Sequence, residues 1–407
     1  MSAVLLRAPL FNPTGPDALQ WWPDGGLLVQ DGRIAASGPF DAVAGQGGAP
    51  VVDLDGVIVP GFADVHIHWV QHRVRGRLDL ELMPWLREHI WPEEARYADP
   101  GFCAAAASAF FDDVVRAGTV MGMSYSSSHP HAARIAAAHS IGDWLIGDSV
   151  MVRGAPSDLT RAGADSIDAI DGLARELGPQ RYALTPRFAL NCSRELMAAM
   201  GAYARAGGYH LQTHLSESPA EVREVLAAFP EAEDYTDVYD RAGLLGERTV
   251  LGHCVHLSER EWAVLAARRC RVAHCPSSNE ALDSGRMDLE AVRRHGIAYA
   301  LASDVGAGPS HSMLHVMQRY LQLHRGAGVA VSATEALYRA TLAGAQCMGR
   351  GAVAGNLAPA KRADFVVLPR PSGPVDPEGW IGEWTHGSMA ELEARPLGTW
   401  IEGEPVS

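Results

Sequence analysis

From "GVIVPGFADVHIH" onward, short apolar runs alternate with alanine-rich stretches whose hydrophobic positions recur at helical spacing. Eight of these runs have the length and composition of strands: "VIVPGFADVHIH", "TVMGMSYS", "DWLIGDSVMV", "RYALTPRFA", "YHLQTHLS", "TVLGHCV", "RVAHCPSS" and "IAYALASDVG". Strands alternating with helices predict a parallel sheet, and eight such units predict a closed (β/α)8 TIM-like barrel. The helices between them include "GFCAAAASAFFDDVVRAG" and "SRELMAAMGAYARAGG", each stopping at glycine, as a helix C-terminus often does. Before residue 60 the texture is different. Short β-type runs are separated by turn residues, with Asp31-Gly32 a hairpin signal in "GLLVQDGRIAASG". Beyond the eighth run come two helical stretches, then "GNLAPAKRADFVVLPR" and a β-like tail rich in Gly, Pro and Trp. The pattern predicts a small β-sandwich domain from residues 1–60 and 350–407, together with a barrel over residues 61–349.

Composition narrows the partners. A hydrophobic fraction of 47% suits a packed globular interior. The net charge of −14, without a clustered basic stripe, excludes nucleic acid as an expected partner. The six cysteines (Cys103, Cys192, Cys254, Cys270, Cys275 and Cys347) include no C-x-x-C pair, which fits reduced thiols in the cytoplasm. The stretch "MSAVLLRAPLFNPTG" lacks a long apolar core before a small-residue cleavage site, and no apolar run approaches membrane-span length. A soluble, cytoplasmic protein with no membrane partner is the expectation. Of the 34 basic residues only Lys361 is a lysine.

In a (β/α)8 barrel, chemistry collects at the C-terminal ends of the strands. The first run ends in "HIH", where His66 and His68 stand two residues apart and therefore on one face. The fifth ends at His214, the sixth at His253 and the eighth at Asp304 in "ASDVG". Imidazoles and a carboxylate converging from separate strands make a divalent-cation site with room for water. His72, His129, His131 and His274 lie near the same rim without a partner pattern and are expected to be rim, packing or substrate-neighbour residues. Binuclear hydrolases of this architecture commonly bridge two ions with a carboxylated lysine from the fourth strand. Here that strand ends "TPRFA", with Arg187, and the barrel holds no lysine. One metal ion is expected, and a Schiff-base lysine is excluded.

The tetrapeptide HLSE occurs twice, in "HLSESPAEV" and in "HLSEREW". In the first, Ser218-Pro219-Ala220-Glu221 is a capping box with proline at the first helical position, which leaves Glu217 in the loop beside His214. In the second, Ser258 and Glu261 form the box, so Glu259 falls in the first helical turn, where the helix dipole accounts for it. Glu217 is therefore the expected proton carrier between a metal-activated water and a substrate ring nitrogen. Glu259 is expected to have no such role.

With these residues in hand the chain resembles the amidohydrolase superfamily and, within it, the guanine deaminases of the cytosine-deaminase-like branch. "PGFADVHIH" with Gln71 soon after, "PWLREHIWPEEARY", "LTPRFALNCSRELM", "HLQTHLSESPAEVREV", "YTDVYDRAGLL", "LGHCVHLSE", "AHCPSSN" and "SDVGAGPSHSML" carry the resemblance over residues 58–350. It implies one Zn2+ per chain, with Fe2+ the alternative, held by His66, His68, His214 and Asp304. It makes His253 a neighbour that hydrogen-bonds the metal-bound water or joins the coordination shell. Asp304 would accept the water's proton and help deliver it to departing ammonia, while Glu217 protonates N3 of the purine. Gln71, Arg187 and Phe188 match the positions that recognise the base, with His214, Glu217 and Asp304 also at the substrate. The implied reaction is water attack at C2 of guanine, giving xanthine and ammonia, and the resemblance also implies a homodimer.

"SYSSSH" and "WVQHRVRGRLDL" depart from the family pattern and are expected at the pocket wall, so they bear on which heterocycle is taken: guanine, or a pterin, 8-oxoguanine or triazine. A binuclear amide hydrolase is disfavoured by the missing barrel lysine. A non-catalytic barrel is disfavoured because every ligand position is filled.

Overall fold

The computed structural model describes residues 3–46, 48–77, 80, 82–374 and 376–407. Leu78 and Asp79, in the segment after the first barrel run, lie outside the described residues.

All eight expected runs form strands of one sheet, adjacent in chain order: Phe62–His68, Thr119–Ser126, Asp143–Val150, Ala183–Pro186, His210–Leu215, Thr249–His253, Arg271–His274 and Ala298–Leu301. The pairs from the third strand to the eighth are parallel. Two backbone hydrogen bonds tie the first strand to the residues after the eighth. Asp304 N donates to His66 O at 2.9 Å, and His68 N donates to Val305 O at 2.7 Å. The sheet is thus a barrel closed at its C-terminal end. Asp304 lies beyond the eighth strand, which stops at Leu301, rather than within it.

The terminal arms build a separate sheet of eight strands, all linked by hydrogen bonds into one mixed sheet. Val57–Pro60, the front half of the run "VIVPGFADVHIH", belongs to this sheet, where it pairs antiparallel with Phe365–Leu368 and joins the two arms. The run divides at Gly61, and its second half is the first barrel strand. One side of the sheet buries Leu6, Leu10, Leu27, Val29, Ile58 and Phe365. Leu5, Leu28 and Val43 pack in a second cluster. Asp31-Gly32 is the expected hairpin: both residues have positive φ (50° and 75°), and Gln30 pairs with Arg33.

The chain divides into two compact units, Val65–Phe111 with Gly122–Pro309, and Met1–Asp64 with Asp112–Met121 and Ser310–Ser407. Residues 310–349, grouped with the barrel on sequence grounds, fall in the unit of the terminal arms. Helices Ala333–Arg339 and Leu342–Cys347 pack on strand Ala3–Gly15, and Met313–Gly326 packs on Met389–Glu393. The tail is less β-like than its texture predicted, because Pro377–Trp384 and Met389–Glu393 are helices. Asp376-Pro377 starts the first, and its Trp380 and Trp384 bury against Phe11, with ring centroids 5.8 and 5.4 Å away. A Ser388–Glu391 capping box starts the second. Lys361 is buried, and its Nζ donates to the carbonyls of Gly351 at 2.6 Å and Ala354 at 3.0 Å. All six cysteines are buried thiols. Among the described residues no helix is long and apolar enough to cross a membrane.

Gly32 is held in the left-handed region, and a Cβ there would stand 3.1 Å from both Cβ and O of Glu402. Gly32→Ala is expected to lower stability by about 1–2 kcal/mol, the cost of the left-handed backbone for an L-residue. Denaturant midpoints of the two proteins measure it, and an unchanged midpoint would contradict this account of the hairpin.

Candidate active site

His66 and His68 project from the same face of the first strand, as their spacing requires, and meet His214 of the fifth strand and Asp304. Ligand atoms of these four residues all lie within 4.8 Å of one another. Asp304 Oδ1 is 3.2 Å from His66 Nε2 and 3.3 Å from His68 Nε2. A second donor group, Glu217, His253 and Asp304, shares Asp304 with the first. His253 Nε2 is 3.6 Å from Glu217 Oε2 and 3.9 Å from Asp304 Oδ2. The backbone delivers several of these side chains by leaving the strand abruptly: Ser216, His253 and Asp304 have φ values of 51°, 69° and 52°. Non-glycine residues are seldom held there, and such positions concentrate at functional sites.

The tautomers follow from the partners. His214 Nδ1 donates to the carbonyl of Arg187 at 2.7 Å, and His253 Nδ1 faces Asn279 Oδ1 at 2.9 Å. Each therefore turns an Nε2 lone pair toward the centre, the outer partner fixing ring and tautomer. His214 Nε2 and His68 Nε2 stand 3.2 Å apart. Burial disfavours the imidazolium, holding His66 and His214 below the ordinary histidine range and pushing His68 down to about 4. Burial opposes ionisation of Asp304 too, but the adjoining His66 and His68 rings outweigh it and hold the carboxyl well below its usual range. Three neutral nitrogens and one carboxylate, dry and convergent, fit a divalent ion of the zinc type.

Glu217 lies outside its helix, as the capping box dictates. Ser218 accepts from Glu221 N, and Glu221 reaches back to the N-cap backbone. Burial, then the charge of Asp304, pushes the Glu217 carboxyl well above the usual carboxylate range. Its Oε1 accepts from Ser284 Oγ at 3.4 Å. In the second HLSE copy, Ser258 and Glu261 form the other capping box, and Glu259 is exposed, paired with Arg294 and with His295 at 2.9 Å. His256 Nε2 bonds the carbonyl of Ser284 at 2.7 Å.

A cavity opens onto the donors. Gln71, Arg187 and Phe188 line it with His68, His214, Glu217, His253 and Asp304, and Leu82, Trp85, Leu86 and Ala307 form an apolar side. Of the two segments expected at the wall, "WVQHRVRGRLDL" supplies Gln71. "SYSSSH" supplies no lining residue, although its Tyr125 stacks on His68 with centroids 4.5 Å apart. The rim histidines stay out of both donor groups: His131 bonds the carbonyl of Tyr97 at 2.9 Å, His129 stacks on His131, His72 meets Arg75 at 3.3 Å, and His274 is buried against Tyr299.

Sequence reasoning missed the residues behind these groups. Glu94, fully buried, accepts from Arg187 Nη1 at 2.8 and 2.6 Å and from Gln71 Nε2 at 2.8 Å. Its signal was an acidic pair, Glu93-Glu94, inside the apolar frame "IWPEEARY". Asn279 and Ser284 carried no comparable signal.

Gly252, one residue before His253, faces the His66 ring across the barrel. A Cβ at this position would stand 2.6 Å from His66 Cε1 and 2.9 Å from Nδ1. Gly252→Ala is therefore expected to displace His66 and weaken divalent-metal binding by about 10–100-fold, the usual effect of disturbing a ligand's support. Chelator competition reads this without any assay of turnover; wild-type affinity in the variant would show that the ring has room to spare.

The Amidohydrolase family matches residues 57–406. A probable guanine deaminase of Deinococcus radiodurans is 37% identical over 392 residues, covering 90% of this chain and 87% of that one. A guanine deaminase of Escherichia coli is 34% identical over 370 residues, covering 88% and 84%. The solved structure of E. coli guanine deaminase superposes with a TM-score of 0.92 at 29% identity, over 100% of this chain and 99% of that one. With the barrel, the donor group at its strand ends and these matches together, the chain belongs to the amidohydrolase family.

Proposed function

We propose that the chain is a guanine deaminase that converts guanine and water to xanthine and ammonia with one zinc ion. The observation that carries this reading is a single cavity lined both by the donor group and by Gln71, Arg187 and Phe188. The names of the relatives at 34–37% identity support it. His66, His68, His214 and Asp304 would hold the ion, which when bound supplies Lewis-acid activation of water.

The residues divide the remaining work. Phe188 offers an aromatic face to a flat base, Arg187 offers N–H donors to a ring carbonyl, and the Gln71 amide meets a ring edge. Glu217, kept protonated by burial and by the nearby Asp304 charge, can give its proton to N3 of the base as a C2–O bond forms. Asp304 directs Oδ1 at the histidines and Oδ2 toward His253, so Oδ2 can take a proton from the water and return it to the leaving amine. His253 Nε2 is buried without a hydrogen-bond partner among the described residues, and suits acceptance from that water. Loss of ammonia as the C2–N bond breaks, with the remaining hydroxyl proton passing to the Glu217 carboxylate, leaves xanthine and restores the starting protonation.

A single ion fits a fourth strand whose Arg187 is engaged by Glu94 and a chain whose one lysine lies outside the barrel strands. Six buried reduced thiols support a cytoplasmic location, and the homodimer rests on the family resemblance.

Zinc-loaded protein is expected to convert guanine to xanthine in a spectroscopic assay, to lose that activity on chelation and to regain it with Zn2+. Ammonia from a pterin, 8-oxoguanine or triazine but none from guanine would reassign the substrate. Glu217→Gln is expected to retain zinc while turnover falls by about 10²–10⁴-fold, the usual worth of a proton-transfer group. Glu259→Gln should stay near wild type. A large loss in the second variant with the fold intact would mean that the proton carrier had been assigned to the wrong copy.

A further inference from the structure

Arginine carries its charge at any accessible pH, and a lone guanidinium in a pocket selects anions. Arg187 is not alone. Both oxygens of Glu94 lie within 2.8 Å of its Nη1, and Arg187 is 3% exposed and Glu94 0%. Glu94 is not a lining residue; it acts from behind the wall. The same carboxylate orients Gln71. A carboxylate oxygen accepts and a backbone N–H donates, so Nε2 must face Glu94 at 2.8 Å and Oε1 must face Gly306 N at 3.2 Å. Arg187 keeps Nη2 and Nε without a protein partner among the described residues, while Gln71 retains one amide hydrogen and one oxygen lone pair. The recognition wall therefore presents donors and an acceptor with its positive charge cancelled.

We infer that Glu94 is a positioning residue that makes the pocket selective for uncharged heterocycles over their anions, by neutralising Arg187 and fixing the amide of Gln71. The inference rests on the purine reading of the site, and gives that reading a consequence for the product. Guanine is neutral near pH 7, whereas xanthine is the more acidic base and ionises more readily. A charge-balanced wall retains the substrate and gives no added hold on the ionised product. Without Glu94 the same Arg187 would retain xanthine as an ion pair.

The test compares zinc-loaded wild type, Glu94→Gln and Glu94→Asp. Guanine kinetics and xanthine inhibition are followed from below to above the first ionisation of xanthine, with zinc content and thermal melts as controls. In wild type, xanthine inhibition is expected to weaken as xanthine ionises. Glu94→Gln should bind the xanthine anion at least about tenfold more tightly than wild type does, the size of effect that an uncompensated buried charge produces. Its KM for guanine should rise more than its kcat falls. Glu94→Asp, which keeps the charge, should keep the wild-type pH profile even where KM rises. Identical xanthine profiles in wild type and Glu94→Gln would overturn the inference. Should Glu94→Gln fail to fold, wild-type inhibition that is constant or tighter as xanthine ionises overturns it just as directly, and weakening supports it. Calorimetry reads binding apart from turnover. Wild type that binds purines without releasing ammonia would sink the deaminase reading and leave the Glu94 comparison standing, whereas wild type that binds neither purine sinks both.

Discussion

Everything in the site depends on removing water from a place where three imidazoles and a carboxylate meet. In water each histidine would carry part of a proton near neutral pH, and neighbouring charged rings would repel. Burial opposes the charged form of His66, His68 and His214, while the adjoining His66 and His68 rings hold the Asp304 carboxyl low. The same dryness, with the charge of Asp304 added, pushes the Glu217 carboxyl up. Two carboxyl groups in one cavity are thus pushed in opposite directions because their partners differ, the separation that acid and base roles require.

That arrangement depends on the closure of the barrel. The hydrogen bonds that join the first strand to the segment after the eighth involve the backbones of His66, His68 and Asp304 themselves. Closing the sheet and positioning the donors are one event, so the site does not rely on a flexible loop for the geometry of these donors. The absent side chain of Gly252 contributes in the same way, since it leaves the His66 ring the space it occupies between strands.

Much of this was legible in the sequence because it is carried by short periods. The i, i+2 spacing of His66 and His68 assigns both to one strand face, and the two capping boxes place Glu217 outside a helix and Glu259 inside one. The barrel strands were legible for the same reason. What escaped was long-range or irregular. Glu94 meets Arg187 across 93 positions, from an excursion between the first strand and the following helix. Asn279 and Ser284 act on His253 and Glu217 only once separate loops are brought together. The tail helices were hidden by Gly and Pro, which mark turns in most contexts but here accompany a proline-started helix carrying two buried tryptophans.

The scarcity of lysine has a chemical consequence of its own. All but one of the 34 basic residues are arginine, so the positive charge of this protein is almost wholly guanidinium and does not titrate away in alkali. The single side-chain amine, on Lys361, is 8% exposed and donates to two backbone carbonyls. Reagents and enzymes that modify amines therefore meet a surface with almost no side-chain amine to react with, and acylation of Lys361 first requires the loop from Gly351 to Ala354 to release it.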